Sequence, residues 1–212
     1  MSVIIGQKEY FKNINEVKFE GKDSDNPLAY RYYDSERVVM GKSMKEHFKF
    51  AIAYWHSFVN TGNDPFGPGT KEYPWSESSD VHQRAYDKMD AAFEFISKLG
   101  LEYFCFHDFD LIDEGKSLSE SEDRLHKISE YALSKMNSTR MKVLWGTANL
   151  FSNPRYMNGA ATNPDFSVVS YAGAQVRNAL NVTQKLGGEN YVFWGGREGY
   201  MSLLNTKMKK EL

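Results

Sequence analysis

Among 212 residues there is a single cysteine, Cys105, so no disulfide can close within the chain and no zinc cage of cysteines alone can be assembled. A chain without a disulfide framework fits a reducing cytosol. An excess of positive charge is also missing. Lys and Arg number 26 against 28 Asp and Glu, leaving a formal net charge of −2. That balance supplies no field to hold a nucleic-acid backbone or an anionic membrane. No apolar run approaches the roughly 18 residues of a membrane span. Val3-Ile4-Ile5 is too short for the apolar core of a signal peptide. Low-complexity segments are absent as well. What is present, 41% hydrophobic, 15% aromatic and 25% charged residues, is a folded and not a disordered composition. Together these features predict a soluble, cytoplasmic protein without a nucleic-acid or membrane partner.

Three segments carry helical periodicity. Val81, Ala85, Met89, Ala92, Phe93, Ile96 and Leu99 form an apolar stripe, with Asp80 as N-cap and Gly100 as terminator. Ser119 and Glu122 read as a capping box opening a second helix that buries Leu125, Ile128, Ala132 and Met136. Asn163-Pro164-Asp165 reads as a cap followed by proline at the first helical position, ahead of Val168, Val169, Ala172, Val176, Leu180 and Thr183. Each helix is followed by a short apolar run: Tyr103 to Phe106, Met141 to Trp145, and Tyr191 to Trp194. These runs suit strands covered on both faces, and the rhythm is that of βα units around a parallel sheet. Residues 43–58 are ambiguous. Ser43 and Glu46 with Phe48, Ile52, Trp55 and Val59 favour a helix, while Phe50 to Trp55 is apolar enough for a buried strand. Residues 61–75, rich in Gly and Pro, read as loop.

In parallel α/β architectures ligands gather where strands end. Three polar clusters lie at such points. In His107-Asp108-Phe109-Asp110 the Asp110 carboxylate can hold one ring nitrogen of His107 and leave the other for substrate, as an acid/base pair. The same residues would also serve simply to cap a strand end and satisfy loop amides. In Trp145 to Pro154, Thr147 and Asn149 can hydrogen-bond a polyol while Trp145 and Phe151 wall its carbon face; a core tryptophan before a polar turn explains them too. Trp194-Gly195-Gly196-Arg197-Glu198-Gly199 is neither GxGxxG nor a P-loop. A βα turn explains its glycines but not the aromatic, arginine and glutamate around them. The residues lean toward a neutral polyol site framed by aromatics.

On these same residues, together with Asp64-Pro65-Phe66-Gly67 and the WGGREG run, the chain resembles the xylose isomerase family. The resemblance implies an α/β fold, a TIM (β/α)8 barrel, and resolves the ambiguity at Phe50 toward the first barrel strand. Strands near Phe50, Tyr103, Val143 and Val192 are then four where a closed barrel needs eight. The expected organisation is a partial barrel, with residues 1–46 as an N-terminal arm and 47–212 as βα units. The implied activity is aldose–ketose isomerisation of D-xylose to D-xylulose. His107, oriented by Asp110, would open the sugar ring, and a metal-assisted hydride shift would follow. Trp55, Phe66, Thr147, Phe151 and Trp194 fall at substrate-binding positions, Phe66 reaching a neighbouring subunit of a homotetramer. Trp194 is expected to be a large buried aromatic beside the sugar. Gly146 stands where a small hydroxyl residue is expected. The two divalent cations of the family, magnesium, manganese or cobalt, would take ligands beyond Leu212, so no metal ligand is assigned here. The chain alone is accordingly expected to be inactive. The alternatives are a non-catalytic half-barrel that binds sugar or another subunit, and another metal-dependent barrel enzyme such as a sugar-phosphate epimerase or an endonuclease. The near-neutral charge argues against the last, since a phosphate ligand calls for cationic loops.

Overall fold

A computed structural model describes residues 3–199, 204 and 207–211. After an irregular arm, Val38–Val39 (β1) and Lys42–Ser43 (β2) pair as an antiparallel ribbon. A one-turn helix, Met44–His47 (α1), leads into Ala51–Ala53 (β3) and a π-helical turn at Trp55–Val59. Then follow Val81–Lys98 (α2), Tyr103–His107 (β4), Asp108–Leu111 (α3), Leu118–Ser138 (α4) and Lys142–Thr147 (β5). A 3-10 turn at Pro154–Tyr156, Phe166–Lys185 (α5), Asn190–Tyr191 (β6) and Met208–Glu211 (α6) complete the order. Strands β3, β4, β5 and β6 form a parallel sheet in sequential order. Helices α2, α4 and α5 neighbour one another in the same order, as crossovers of one hand between adjacent parallel strands require. No helix among the described residues is long and apolar enough to cross a membrane.

The main core lies between sheet and helices. Phe104 and Phe106 of β4, two residues apart and so on one face, are fully buried with Met89, Phe93 and Ile96 of α2 and Ile128 of α4. The Phe93 and Phe104 rings lie 5.3 Å apart. Cys105 and His107 alternate to the other face of the strand.

Several expectations are corrected in detail. For α2 the cap and terminator are as expected: Asp80 accepts from the Gln83 amide at 2.7 Å, and Gly100 takes a φ of +67°. The α4 cap is Ser117, not Ser119, because Ser117 is the residue with extended backbone outside the helix; its hydroxyl accepts from Glu120 N. Asp165, not Asn163, caps α5 and accepts from Ser167 N, while Asn163 braces Asp165 N from outside. The buried face of α5 is Ala172, Gln175, Ala179, Val182 and Thr183, with Val176 and Leu180 only partly covered, since small residues let the helix approach β5 closely. Both readings of residues 43–58 hold in part. The Ser43–Glu46 box is formed, but its helix ends after one turn and the chain enters β3. The run Tyr191 to Trp194 is strand only at Tyr191. Beyond the Val192 amide, which donates to Gly146 O, this edge has no ladder partner among the described residues, and Phe193 and Trp194 are exposed. The sequence from Met201 to Leu212 reads as a helix interrupted midway; Met208–Glu211 is helical, and residues 201–203, 205, 206 and 212 lie outside the described residues.

The N-terminal arm is held on α2 by buried charge. Glu94, fully buried, accepts from Tyr10 N and Phe11 N, both at 2.8 Å. Lys98, also buried, pairs with Glu94 at 3.1 Å and Glu9 at 2.7 Å and donates to Phe11 O. A buried carboxylate is tolerated only when paired and hydrogen-bonded. Replacing Glu94 by Ala would leave two backbone amides without their acceptor and would take from the buried Lys98 ammonium one of its two carboxylate partners. Glu94→Ala is therefore expected to lower stability by about 3–5 kcal/mol, read as the urea midpoint. The Tyr10 and Phe11 amides should lose protection from hydrogen exchange. Unchanged protection at both would refute the anchoring.

Candidate functional site

Because the four strands run parallel, their C-terminal ends open on one side of the sheet. There the chain lines an open cavity of about 880 Å3. Trp55 enters it from the turn after β3, His107 from the last position of β4, Thr147 from the last position of β5, and Trp194 from the loop after β6. Asp110 of α3 and Phe151 complete this set. Six of the seven site residues read from the sequence are thus brought together. Phe66 is not: it stands 97% exposed on its own loop, whose turn is held by Asp64 accepting from Phe66 N.

A register shift in the β4–β5 ladder sets the rim. Phe104 pairs with Val143, but Cys105 pairs with Trp145, so Leu144 is a bulged residue and His107 comes to stand across from Thr147. Gly146 is required by the helix above it. A Cβ there would meet Thr183 Oγ1 at 2.1 Å and Phe106 Cζ at 3.0 Å, leaving no room for a side chain.

His107 Nδ1 lies 2.8 Å from Asp110 Oδ2, which also accepts from His107 N at 2.7 Å. An ionised carboxylate can only accept, so Nδ1 carries the proton and Nε2 presents a lone pair. The imidazole is held between Trp55, with ring centroids 4.6 Å apart, and Phe151 at 5.4 Å. His107 is 8% exposed and Asp110 is 4% exposed. A fixed tautomer with a free Nε2 in an aromatic setting can act as a general base and then return the proton as a general acid.

Asp108 faces the other way and is more buried still. Its Oδ1 accepts from Phe109 N at 2.9 Å and Asn149 N at 2.8 Å, and its Oδ2 accepts from Gln175 Nε2 at 2.8 Å. Gln175 donates also to Asn149 O and accepts from the buried Tyr156 hydroxyl at 2.6 Å. Burial pushes the Asp108 carboxyl up to about 6 against the pull of these donors. The network ties the end of β4 to the loop after β5 and to α5. Sequence reasoning quoted Asp108 and passed over Gln175 and Tyr156, because no local spacing joins them.

The remaining polar groups are largely committed within the protein. The Thr147 hydroxyl donates to Val192 O at 2.5 Å, keeping only lone pairs for a ligand. The Asn149 side chain donates to Ser152 Oγ and accepts from Phe151 N and Ser152 N, so it shapes the turn that carries Phe151. Trp55 and Trp145 rings meet at 5.4 Å. Trp194, expected to be buried, is 56% exposed on the rim, since it lies beyond the end of β6. Asn60, Thr61 and Arg197 also line the cavity and were not anticipated there; for Arg197 the WGGREG run was the available signal.

Among the described residues no group of three or more His, Cys, Asp or Glu side chains is placed to hold a metal ion. At the cavity, Asp110 and His107 are bonded to each other, and Asp108 is turned inward onto amide donors. These residues do not by themselves fit a pair of divalent cations, which require several oxygen ligands each.

The chain is 59% identical over 204 residues to a xylose isomerase of Bacteroides thetaiotaomicron, covering 96% of this chain and 47% of that protein. It is 57% identical over 210 residues to xylose isomerase 1 of Xanthomonas campestris pv. campestris, covering 99% of this chain and 47% of that one. A xylose isomerase of Phocaeicola vulgatus is 57% identical over 204 residues, with 96% and 47% covered. The chain spans about half the length of the curated relatives it matches. No family model matches it.

The Asp108 network makes stability depend on pH. A carboxyl raised from its ordinary 3.8 to about 6 binds its proton more tightly in the folded state. Its contribution is therefore fully present below the ordinary value and is lost as pH rises through about 6. Asp108→Asn removes the titration and stays isosteric. The Gln175 amide can turn over to face it, with the Tyr156 hydroxyl accepting, at the cost of its bond to Asn149 O; that cost does not vary with pH. From about pH 4 to about pH 7 the wild type should lose about 2 kcal/mol relative to this variant. The measurement is urea unfolding of both proteins across that range. A constant difference between them would show that Asp108 is not buried as a carboxylate.

Proposed function

We propose that this chain, a homologue of xylose isomerases over nearly its whole length, supplies the sugar-binding and ring-opening part of an enzyme interconverting D-xylose and D-xylulose. The observation that carries this reading is the His107–Asp110 pair on the floor of an aromatic-walled cavity at the strand ends. Opening a pyranose ring takes a proton from the anomeric hydroxyl and places one on the ring oxygen, while the bond between the anomeric carbon and that oxygen breaks. His107 Nε2 accepts the first proton. Asp110 stabilises the imidazolium through Nδ1–H, and the proton is delivered to the ring oxygen, giving the open-chain aldehyde. Trp55, Phe151 and Trp194 pack against the carbon face of the sugar, and Thr147 accepts from a sugar hydroxyl. The low local polarity strengthens each of these hydrogen bonds.

The hydride shift between neighbouring carbons is ascribed in the family to two divalent cations that polarise the sugar oxygens. No residue described here is assigned to hold them, and no step is routed through them. The 212 residues alone are proposed to bind sugar without isomerising it. The sequential parallel sheet with neighbouring helices supports a further part of the reading: the chain is an arm of residues 1–46 and the first half of a (β/α)8 barrel. The assembly is proposed as a cytoplasmic homotetramer in which the exposed Phe66 reaches a neighbour's site.

In the whole enzyme, His107→Gln should lower turnover of cyclic xylose by about 10²–10⁴-fold. It should have far less effect on a triose aldehyde, which cannot close a ring. Equal loss on both substrates would remove His107 from ring opening. Trp194→Ala should raise the KM for xylose. Its exposed position predicts a stability change within about 0.5 kcal/mol, measured by thermal unfolding. A larger loss of stability with unchanged KM would make Trp194 a packing residue only.

A further inference from the structure

Arg197 and Glu198 of the WGGREG run take no part in the ring-opening chemistry, yet Glu198 is among the most heavily hydrogen-bonded carboxylates in the chain. Its Oε2 accepts from Ala160 N at 3.1 Å, from Thr162 N at 3.0 Å and from Thr162 Oγ1 at 2.8 Å, and its Oε1 accepts from Ala161 N at 3.1 Å. Successive backbone amides converging on one carboxylate form an anion nest, here filled from within the protein. Burial works to raise the Glu198 carboxyl, but the donors from Thr162, Ala161 and Ala160 outweigh it and hold the group below the ordinary carboxylate range. Gly199 N adds a hydrogen bond to Thr162 Oγ1 at 2.9 Å. Gly159, with a φ of +92°, opens the turn for this approach, since a Cβ there would lie 3.0 Å from Glu198 Oε2.

On the other side of the same loop, Arg197 Nε donates to Phe151 O at 3.1 Å. Gly196 runs so close beneath the Trp194 indole that a Cβ would fall 2.4 Å from its Nε1 and 3.0 Å from Phe151 Cδ1. Trp194, Gly196 and Arg197 all line the cavity. The loop therefore has two attachments, one on the cavity wall at Phe151 and one in the 159–162 nest, with the exposed edge of β6 leading into it. Beyond Val192 no strand pairing holds it among the described residues.

We infer that Glu198 is a positioning residue, whose carboxylate latches the 194–199 loop into the amide nest of residues 160–162 and thereby sets Trp194 and Arg197 over the cavity. The inference rests on reading the cavity as a sugar site. The latch itself is a statement about the loop and is tested separately. The bonds are charge-assisted and shared with three backbone amides, so a neutral amide at this position keeps one acceptor oxygen and replaces the other with a donor.

The test uses the intact protein with Glu198→Ala, Glu198→Gln and the milder Thr162→Val, each checked for unaltered circular dichroism. Loop order is read from hydrogen exchange at the 160, 161, 162 and 199 amides. It is read also from acrylamide quenching of Trp194, isolated by difference against Trp194→Phe. Sugar affinity is read by calorimetry with xylitol, a five-carbon polyol without a carbonyl to react. Glu198→Ala should raise exchange at these amides and weaken xylitol by about tenfold each, with Trp194 more quenched and the His107 amide unaffected. Glu198→Gln should fall between Glu198→Ala and wild type. Exchange and quenching as in wild type would overturn the latch. A loosened loop with unchanged xylitol affinity would overturn the positioning role. If the wild type binds no xylitol while the loop still loosens in Glu198→Ala, the latch stands and the sugar reading falls.

Discussion

The end of β4 carries two buried carboxylates that face opposite ways, and the arrangement of the cavity depends on that division. Asp110 turns toward the cavity and takes both the backbone and ring nitrogens of His107. Asp108 turns away and takes the amide of Phe109 and that of Asn149 in the loop after β5, with Gln175 of α5 as its third donor. Each carboxylate needs donors once it is removed from water. Meeting that need joins β4, β5 and α5 at the level of the site. The result is a histidine in one tautomer, between two aromatic rings, on a support whose parts cannot shift independently.

The same device recurs away from the cavity. Glu94 gathers the Tyr10 and Phe11 amides and so seats the N-terminal arm on α2. Glu198 gathers the amides of residues 160–162 and draws the loop after β6 onto the turn before α5. In each case an irregular segment, which has no ladder of its own to satisfy its N–H groups, is given an acceptor by a distant glutamate or aspartate. Loops held this way are positioned by a few hydrogen bonds rather than by area buried. That is a means of fixing geometry around a cavity without filling it.

The elements differ in how legible they were. The α2 helix was readable with its cap and terminator because its apolar stripe, Asp80 and Gly100 lie within one continuous stretch. The caps of α4 and α5 each lie two positions from the residue read as cap, since Ser117 and Ser119, or Asn163 and Asp165, are chemically equivalent candidates and only backbone geometry chooses between them. The region around Phe50 is ambiguous by local pattern, because a capping box and a strand abut there, each obeying its own local rule, and only the family resemblance favours the strand. Trp194 looked buried because an apolar run ending in tryptophan resembles a core strand. Its exposure follows from its place past the last rung of the sheet.

By itself the sequence determined the alternation of helix and strand, the parallel character of the sheet and the His107–Asp110 pair, because all of these are written in spacings of a few residues. Tertiary structure alone decided the Leu144 bulge that sets His107 across from Thr147, the need for glycine beneath Thr183, and the partners of Asp108, Glu94 and Glu198. The reason is one of range. Periodicity and capping act between neighbours along the chain, whereas Asp108 meets Gln175 across a sequence separation of 67, and Glu94 meets Tyr10 across 84. A buried carboxylate announces that it must find donors, and only the packed fold determines which amides come within reach.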